Sequence, residues 1–274
     1  MNRKLARVFP RLTCSSPFDK DAYFAGPTSS TPKYDAVHVS VVFTWDRKKG
    51  LELKRQWEAV CSKVKIGGPA FDSAARSFIP GKYVQPGVIF TSRGCPNNCD
   101  FCFVPQREGK LRELKIEKGN MIADNNITAC SPGHLDSVFK MLSKQKKICF
   151  AGGLESARMT DEFIERLRGV RIHQLWLAFD NIALEGTVRK AIRKLRKYFT
   201  QRKLRCYVLI GYKDDTIERA ESRLWKAAEM GSVPFAMFYR DMDGKRAGRE
   251  WDHFRWKWAN TAAVCARLAA RGLL

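Results

Sequence analysis

The sequence has no long apolar run, few acidic residues relative to basic ones, and only four histidines. Its longest stretches rich in apolar residues are short, such as 172–179, whereas a membrane-spanning helix needs about 20 predominantly apolar residues. The basic segment Met1-Asn2-Arg3-Lys4-Leu5 is not followed by the apolar stretch of a secretory signal. These absences predict a soluble protein that does not contact a membrane.

The shortage of acidic side chains leaves a large positive charge. Lys and Arg number 50 against 28 Asp and Glu, so the formal net charge is +22. A field of this sign concentrates polyanions near the protein and speeds their association. Two interpretations are open: the charge serves general solubility, or the partner is a nucleic acid or a nucleotide-like molecule.

The cysteines suggest a metal centre rather than disulfides. Their number is nine, which is odd, and this argues for the reducing cytoplasm. Three of them, Cys95, Cys99 and Cys102, have the spacing C-x3-C-x2-C. Structural zinc sites and ordinary electron-transfer clusters take four protein ligands. Three thiolates on a [4Fe–4S] cluster would leave one iron open, and a zinc or other structural site is the alternative.

This stretch resembles the cluster loop of the radical S-adenosylmethionine (SAM) superfamily, C-x3-C-x-aromatic-C, with Phe101 at the aromatic position. The resemblance implies that Cys95, Cys99 and Cys102 bind a [4Fe–4S] cluster whose open iron chelates SAM. It also implies that reduction of the cluster produces a 5′-deoxyadenosyl radical. A one-electron reductant of the flavodoxin or ferredoxin type is then a required partner.

Four segments are predicted. Residues 1–35 are dense in turn formers and read as an irregular arm. Residues 36–83 read as strand, helix and short strand, resembling a reduced Rossmann-like βαβ unit of the cobalamin-dependent radical SAM enzymes. The D-x-H-x-x-G motif that ligates cobalamin there is missing, so we expect no tightly bound cobalamin. Residues 84–245 form the barrel region, and 246–274 a C-terminal helical extension.

Apolar runs alternate with amphipathic helices through the barrel region. This pattern predicts a parallel sheet covered on both faces, with an abbreviated first helix in the charged segment 103–119. The predicted fold class is α/β, a partial (β/α)6 TIM-like barrel with the small N-terminal βαβ unit and a C-terminal helix. The six strands are predicted at 88–92, 120–126, 148–153, 175–180, 206–211 and 233–239.

Ligands of parallel α/β folds lie at the carboxyl ends of strands. In the superfamily a Gly-Gly-Glu motif after the second strand receives the SAM amino group. Here the glycine pair follows the third strand. The resemblance places Asp180 at the SAM ribose and Gly211 near its adenine. The candidate cofactor-binding residues are Phe101, Asp124, Asn125, Asn126, Gly152, Gly153, Glu155, Asp180 and Gly211.

Several of these residues also have ordinary structural interpretations. Asp180 can cap the following helix, 124–126 can be plain turn chemistry, and Gly152 with Gly153 can serve only a tight turn.

One predicted helix carries a dense set of cations opposite its apolar face. Such a surface can dock nucleic-acid phosphates without reading sequence. The alternative is the solvated outer face of a barrel helix. The residues concerned are Arg189, Lys190, Arg193, Lys194, Arg196 and Lys197.

Three functions therefore stay open. We favour a cytoplasmic radical SAM enzyme that abstracts hydrogen from a nucleic acid or nucleotide. The second is the same chemistry on a peptide or small metabolite, with the charge incidental. The third is a non-enzymatic, metal-containing nucleic-acid-binding protein.

Overall fold

The computed structural model describes residues 4–71 and 78–274, which fall into two compact units. The first unit takes the chain up to Val88 together with the short segments Gln106–Gly109 and Met242–Gly244. The second unit takes the remaining residues. Residues 1–3 of the predicted arm and 72–77 of the predicted βαβ unit lie outside the described residues.

The described part of the first unit contains a four-stranded parallel sheet in the order β2-β1-β3-β4. Helix α1, Arg47–Glu58, connects β3 to β4 and buries Leu53 and Trp57. The indole Nε1 of Trp57 donates to the Ala25 carbonyl oxygen at 3.2 Å. The predicted βαβ unit is thus present. The strands are β1 Leu5–Val8, β2 Ala22–Tyr23, β3 Ala36–Ser40 and β4 Val64–Gly67.

The prediction of an irregular arm is corrected for its first residues. Strand β1 lies inside this sheet, between β2 and β3, and its Ala6 and Val8 are fully buried. The many turn-forming residues that follow β1 led to the prediction of an irregular segment, although β1 itself is a short apolar stretch. That stretch becomes a strand only because β3 offers it a parallel partner at long range.

The described residues of the second unit form a six-stranded sheet in the order β12-β11-β10-β9-β8-β5. Each pairing from β8 to β12 is parallel. The two edge strands, β5 and β12, do not pair with each other in this part of the chain, so the sheet is a partial, unclosed barrel. The strands are β5 Val88–Ile89, β8 Met121–Ile122, β9 Ile148–Leu154, β10 Ile172–Ala178, β11 Leu204–Ile210 and β12 Val233–Phe238.

The first two barrel strands are shorter than predicted. The run 88–92 divides into β5 and a separate strand, β6 Ser92–Arg93, which pairs antiparallel with β7 Arg112–Glu113. The division follows from Thr91, whose backbone N–H donates to the Asp124 carboxylate at 2.6 Å rather than to a strand neighbour. Just before the cysteine loop, the Asp124 side chain thus takes the backbone hydrogen bond that a neighbouring strand would otherwise accept.

Helices follow the strands as expected. The first, α2, is only Val104–Glu108. Three of the others begin after a capping residue: the side-chain oxygens of Ser131, Thr160 and Thr216 each accept a backbone N–H of the first turn. These three helices are α3 Pro132–Leu142, α4 Asp161–Arg168 and α6 Ile217–Glu229. Helix α5, Glu185–Arg196, follows Leu184 and has no side-chain cap.

The C-terminal extension is two helices, not the single helix predicted. They are α7 Arg249–Ala259 and α8 Thr261–Ala269. Asn260 has extended backbone angles between them, and its side chain accepts hydrogen bonds from the N–H groups of Ala262 and Ala263. No helix within 4–71 and 78–274 is long and apolar enough to cross a bilayer.

Candidate functional site

The cysteine loop follows β6 and is shaped by its own backbone and by two asparagines. Gly94 has a φ of 81°, which glycine adopts without strain, and its N–H donates to Asn125 Oδ1 at 3.0 Å. The Cys95 sulfur accepts two hydrogen bonds at 3.4 Å, from the Asn97 backbone N–H and from Asn126 Nδ2. Cys95 and Cys102 are half-buried, and Cys99 is exposed.

Asn126 connects the loop to the end of β9. Its amide Nδ2 donates to Glu155 Oε2 at 2.7 Å as well as to the Cys95 sulfur. Its oxygen Oδ1 accepts the Thr128 hydroxyl at 2.7 Å, which fixes the orientation of the amide. Glu155 Oε2 also accepts a hydrogen bond from Arg158 Nε at 3.0 Å. The structure therefore brings Asn125, Asn126 and Glu155 together beside Cys95.

Asp124 lies in the core, with a side chain that makes structural hydrogen bonds. The residue is 2% exposed, and its carboxylate accepts the Thr91 N–H and hydroxyl at 2.6 Å each and the Ser92 hydroxyl at 2.8 Å. Burial raises the pKa of this carboxyl, and those hydrogen bonds oppose the increase. Asp124 thus fixes the strand that leads into the cysteine loop.

The glycine pair has two different reasons to be glycine. A Cβ on Gly152 would lie 1.8 Å from the Asp124 carbonyl oxygen, so β9 approaches this backbone closer than any other residue allows. Gly153 has a φ of 87° and no atom within 4 Å of an added Cβ. Gly152 is required for packing, and Gly153 for backbone conformation.

Two of the three thiols, those of Cys99 and Cys102, have raised pKa values. The partial burial of the Cys99 sulfur is the largest cause for that residue, and the charges of Cys102, Cys95, Asp180 and Glu155 raise its pKa further. Burial also raises the pKa of Cys102, with smaller increases from Cys95 and Asp180, while the Val104 backbone N–H opposes them. The thiolate forms of Cys99 and Cys102 are therefore unfavourable unless a metal centre supplies positive charge.

A cleft of about 320 Å³ adjoins the loop at the carboxyl ends of β10 and β11. It is lined by Asp100 and Phe101 from the loop, by Asp180 after β10, and by Leu209 and Tyr212 on and after β11. The rings of Phe101 and Tyr212 meet edge to face at 6.0 Å. Burial raises the pKa of Asp180 to about 6, while the Leu209 N–H and the Arg223 charge act in the opposite direction.

The turn after β11 is held by a buried ion pair that sequence reasoning missed. Gly211 has a φ of 70°, and its N–H donates to Asp215 Oδ2 at 3.0 Å. Asp215 pairs with Arg223 at 2.7 Å, and Arg223 also donates to the Leu209 carbonyl oxygen at 2.9 Å. The sequence showed Asp215 only as part of a helix start, because its partner lies eight residues away on α6.

The donor chemistry of the loop fits an iron–sulfur cluster held by three cysteines. Three sulfurs belong to one short loop, and N–H groups donate to one of them, as they do to cluster sulfurs generally. Among residues 4–71 and 78–274, no three His, Cys, Asp or Glu side chains already converge as a metal site.

The six predicted docking cations on α5 divide into two sets. Arg189 pairs with Glu185, Lys194 pairs with Asp161, both at 2.8 Å, and Arg196 donates to the Phe199 carbonyl oxygen at 2.9 Å. The other three, Lys190, Arg193 and Lys197, are exposed and make no ion pair within the described residues.

Comparison with known proteins yields a structural likeness. No protein-family model and no curated protein sequence matches the chain. Among solved structures, the chain resembles the radical S-adenosylmethionine methyltransferase TsrM from Kitasatospora setae, determined with cobalamin and a [4Fe-4S] cluster bound. The TM-score is 0.62 at 10% sequence identity, over 88% of this chain and 76% of TsrM. At that identity the likeness shows a shared fold and nothing finer.

Proposed function

We propose that this protein is a radical SAM enzyme. The observation that carries the proposal is the position of the three-cysteine loop, which contributes Asp100 and Phe101 to a cleft at the carboxyl ends of β10 and β11. The fold shared with TsrM supports the same conclusion at the level of architecture.

In this proposal Cys95, Cys99 and Cys102 hold a [4Fe–4S] cluster, and the cleft binds SAM. The cluster, when bound and reduced, supplies the electron that cleaves SAM to give a 5′-deoxyadenosyl radical. Asn126 orients Cys95 through its bond to the sulfur, and Glu155, fixed by the same amide, offers oxygens to the SAM ammonium group.

The remaining side chains orient the nucleoside. Asp180 would accept hydrogen bonds from the ribose hydroxyl groups, and its ionised form is the stronger acceptor because both oxygens can then accept. Phe101 and Leu209 would pack against the adenine, and Gly211 keeps the adjoining turn free of a side chain. A Cβ there would meet the Phe238 ring at 2.7 Å. Asp215 and Arg223 act as positioning residues that hold this turn.

We propose a nucleic acid or nucleotide as the substrate, because the net charge of +22 favours a polyanionic partner. The chain's own residues then bind both reactants and exclude water from the radical. Electrons come from a one-electron reductant of the flavodoxin or ferredoxin type. The cobalamin of TsrM is a property of that protein, and the missing D-x-H-x-x-G motif leads us to expect none bound tightly here.

Anaerobic reconstitution with iron and sulfide tests the proposal. The reconstituted protein should show the visible absorbance of an iron–sulfur cluster and, with SAM and dithionite, release 5′-deoxyadenosine. Single alanine variants of Cys95, Cys99 and Cys102 should lose both the iron and the product. Cys14→Ala is the matched control, because Cys14 is exposed and far from the loop in sequence. Retention of zinc by a colourless protein would refute the proposal.

A further inference from the structure

A second cavity, of about 500 Å³, lies at the opposite ends of the barrel strands. It is lined by Lys147 just before β9, by Arg171 and His173 at the start of β10, and by Lys203 just before β11. Tyr198 and Phe199, which follow α5, contribute rings to the same cavity. None of the described residues that line it is acidic.

The cations of this cavity are available for a ligand. Lys147, Arg171 and Lys203 make no ion pair and no side-chain hydrogen bond within the described chain, although many other cations of this unit do. Three like charges around one cavity repel each other, so an anion placed among them is attracted by all three. A guanidinium and ammonium groups are the usual ligands of phosphate oxygens.

Helix α5 extends this charge along the surface of the same unit. Lys190, Arg193 and Lys197 are spaced at three and four residues, so they share one helix face over about 10 Å of rise. We call these three residues the α5 stripe. The hydrogen bond and charge of Lys194 lower the pKa of Asp161, and the charge of Lys197 adds a smaller decrease without bonding that carboxylate. The stripe ends one residue before Tyr198, which lines the cavity.

We propose that the α5 stripe and this basic cavity together bind the backbone phosphates of a nucleic acid. The stripe runs from the carboxyl side of the sheet towards its amino side, because α5 leads from the end of β10 to the start of β11. A strand of seven residues, such as β10, spans roughly 23 Å. One end of a bound nucleic-acid strand could therefore lie at the cavity while another part of the same nucleic acid reaches the cleft. The role of this surface in bringing a substrate to the cleft rests on the proposed function, whereas the binding of phosphates does not.

The position of the cavity favours a nucleic acid over an acidic reductant. An electron donor must approach the cysteine loop, and the cavity lies about one strand length away from it. A free phosphate would use the cavity alone and would gain nothing from the stripe. Repeated phosphates on one flexible strand match cations that continue from the cavity along a helix.

The test measures binding of a fluorescein-labelled, mixed-sequence single-stranded RNA of about 20 nucleotides by fluorescence anisotropy. The full chain is used without iron or SAM, so failure of the radical chemistry does not affect the result. One variant removes Lys147, Arg171 and Lys203, and a second removes the α5 stripe, each by alanine. The control variant carries Lys48→Ala, Lys49→Ala and Arg55→Ala, which removes the same charge from exposed positions of α1. Circular dichroism checks that all variants fold.

We expect each test variant to weaken RNA binding by at least about tenfold at low salt. The slope of log K against log salt should become shallower by about 2, since each of the three lost phosphate contacts contributes about 0.7. The control should change binding less than twofold. Equal weakening by the control would overturn the proposal, because binding would then follow net charge. It would also be overturned if polyglutamate bound with the same dependence on the variants, or if millimolar inorganic phosphate displaced the RNA completely.

Discussion

Replacing Gly152 with alanine tests the packing that supports the cysteine loop. The new Cβ would lie 1.8 Å from the Asp124 carbonyl oxygen, 2.8 Å from its carbonyl carbon and 3.1 Å from its nitrogen. Ordinary contacts of a Cβ begin at 3.4 Å, so the two backbones must separate by about 1.6 Å. All three contacts are backbone atoms, which cannot rotate away as a side chain can.

The expected loss of stability follows from that overlap. Forcing extra volume into a packed core costs about 1–3 kcal/mol, and a clash with backbone belongs at the upper end, so we expect about 3 kcal/mol. Gly153→Ala is the matched control, because it has nothing within 4 Å and incurs only the strain of its φ of 87°. That strain costs about 1–2 kcal/mol.

The same displacement should reach the cysteine loop. Asn125 and Asn126 follow Asp124 directly, and they bond Gly94 and the Cys95 sulfur. Urea unfolding should therefore rank Gly152→Ala as the less stable variant, and iron retention after reconstitution should fall in the same order. The reasoning would be refuted if Gly152→Ala were as stable as the unaltered protein, or if Gly153→Ala lost more iron.

Three further predictions concern other residues of the second unit. Asp124→Ala should lower the free energy of unfolding by about 3–5 kcal/mol, because the Thr91 N–H and the Thr91 and Ser92 hydroxyls lose their acceptor. Asp124→Asn should cost less, since the hydroxyls can turn to accept hydrogen bonds from the new amide. Thermal denaturation that ranks the two variants equally would contradict this. In the proposed SAM site the Asp180 carboxylate accepts the ribose hydroxyls, and burial raises the pKa of Asp180 to about 6. Calorimetry should therefore show SAM affinity rising between about pH 5 and pH 7, but no such rise in Asp180→Asn. The same raised pKa means that Asp180 stabilises the fold fully below its unfolded value of 3.8, and that this contribution is lost as the pH rises through about 6. Lys147→Gly should raise the free energy of unfolding by about 0.5–1 kcal/mol, since Lys147 has a φ of 53°, which glycine adopts without strain. The same variant should nevertheless weaken RNA binding. If urea unfolding showed the variant to be less stable, the backbone at Lys147 would not be strained.

Much of the architecture could be predicted from sequence patterns that are local. The apolar runs of β9, β10 and β11 and the capping residues Ser131 and Thr216 each report on a few neighbouring residues. Strand periodicity and helix capping depend on short-range sterics and hydrogen bonds, so they are visible without the fold. The parallel sheet and its partial closure were confirmed on that basis.

The errors arose where distant residues decide local structure. Strand β1 exists because β3 pairs with it, and β6 separates from β5 because Asp124 takes the Thr91 N–H. Asn260 divides the tail, because its side chain caps the new helix that begins at Thr261. In each case a hydrogen bond outweighed the local propensity.

The sequence alone determined the three-cysteine loop, the strand–helix alternation and the excess of positive charge, because these are properties of residue type and spacing. Only the tertiary structure decided what the candidate residues contact. It turned Asp124 into the core, joined Asn126 to Cys95 and Glu155, and placed Arg223 on Asp215. It also separated the cations of α5 into those that are paired and those that make no ion pair within the described residues. The direction of a side chain and the identity of its partners depend on which strands and helices meet, and this is set by packing across the whole sheet rather than by neighbours in the chain.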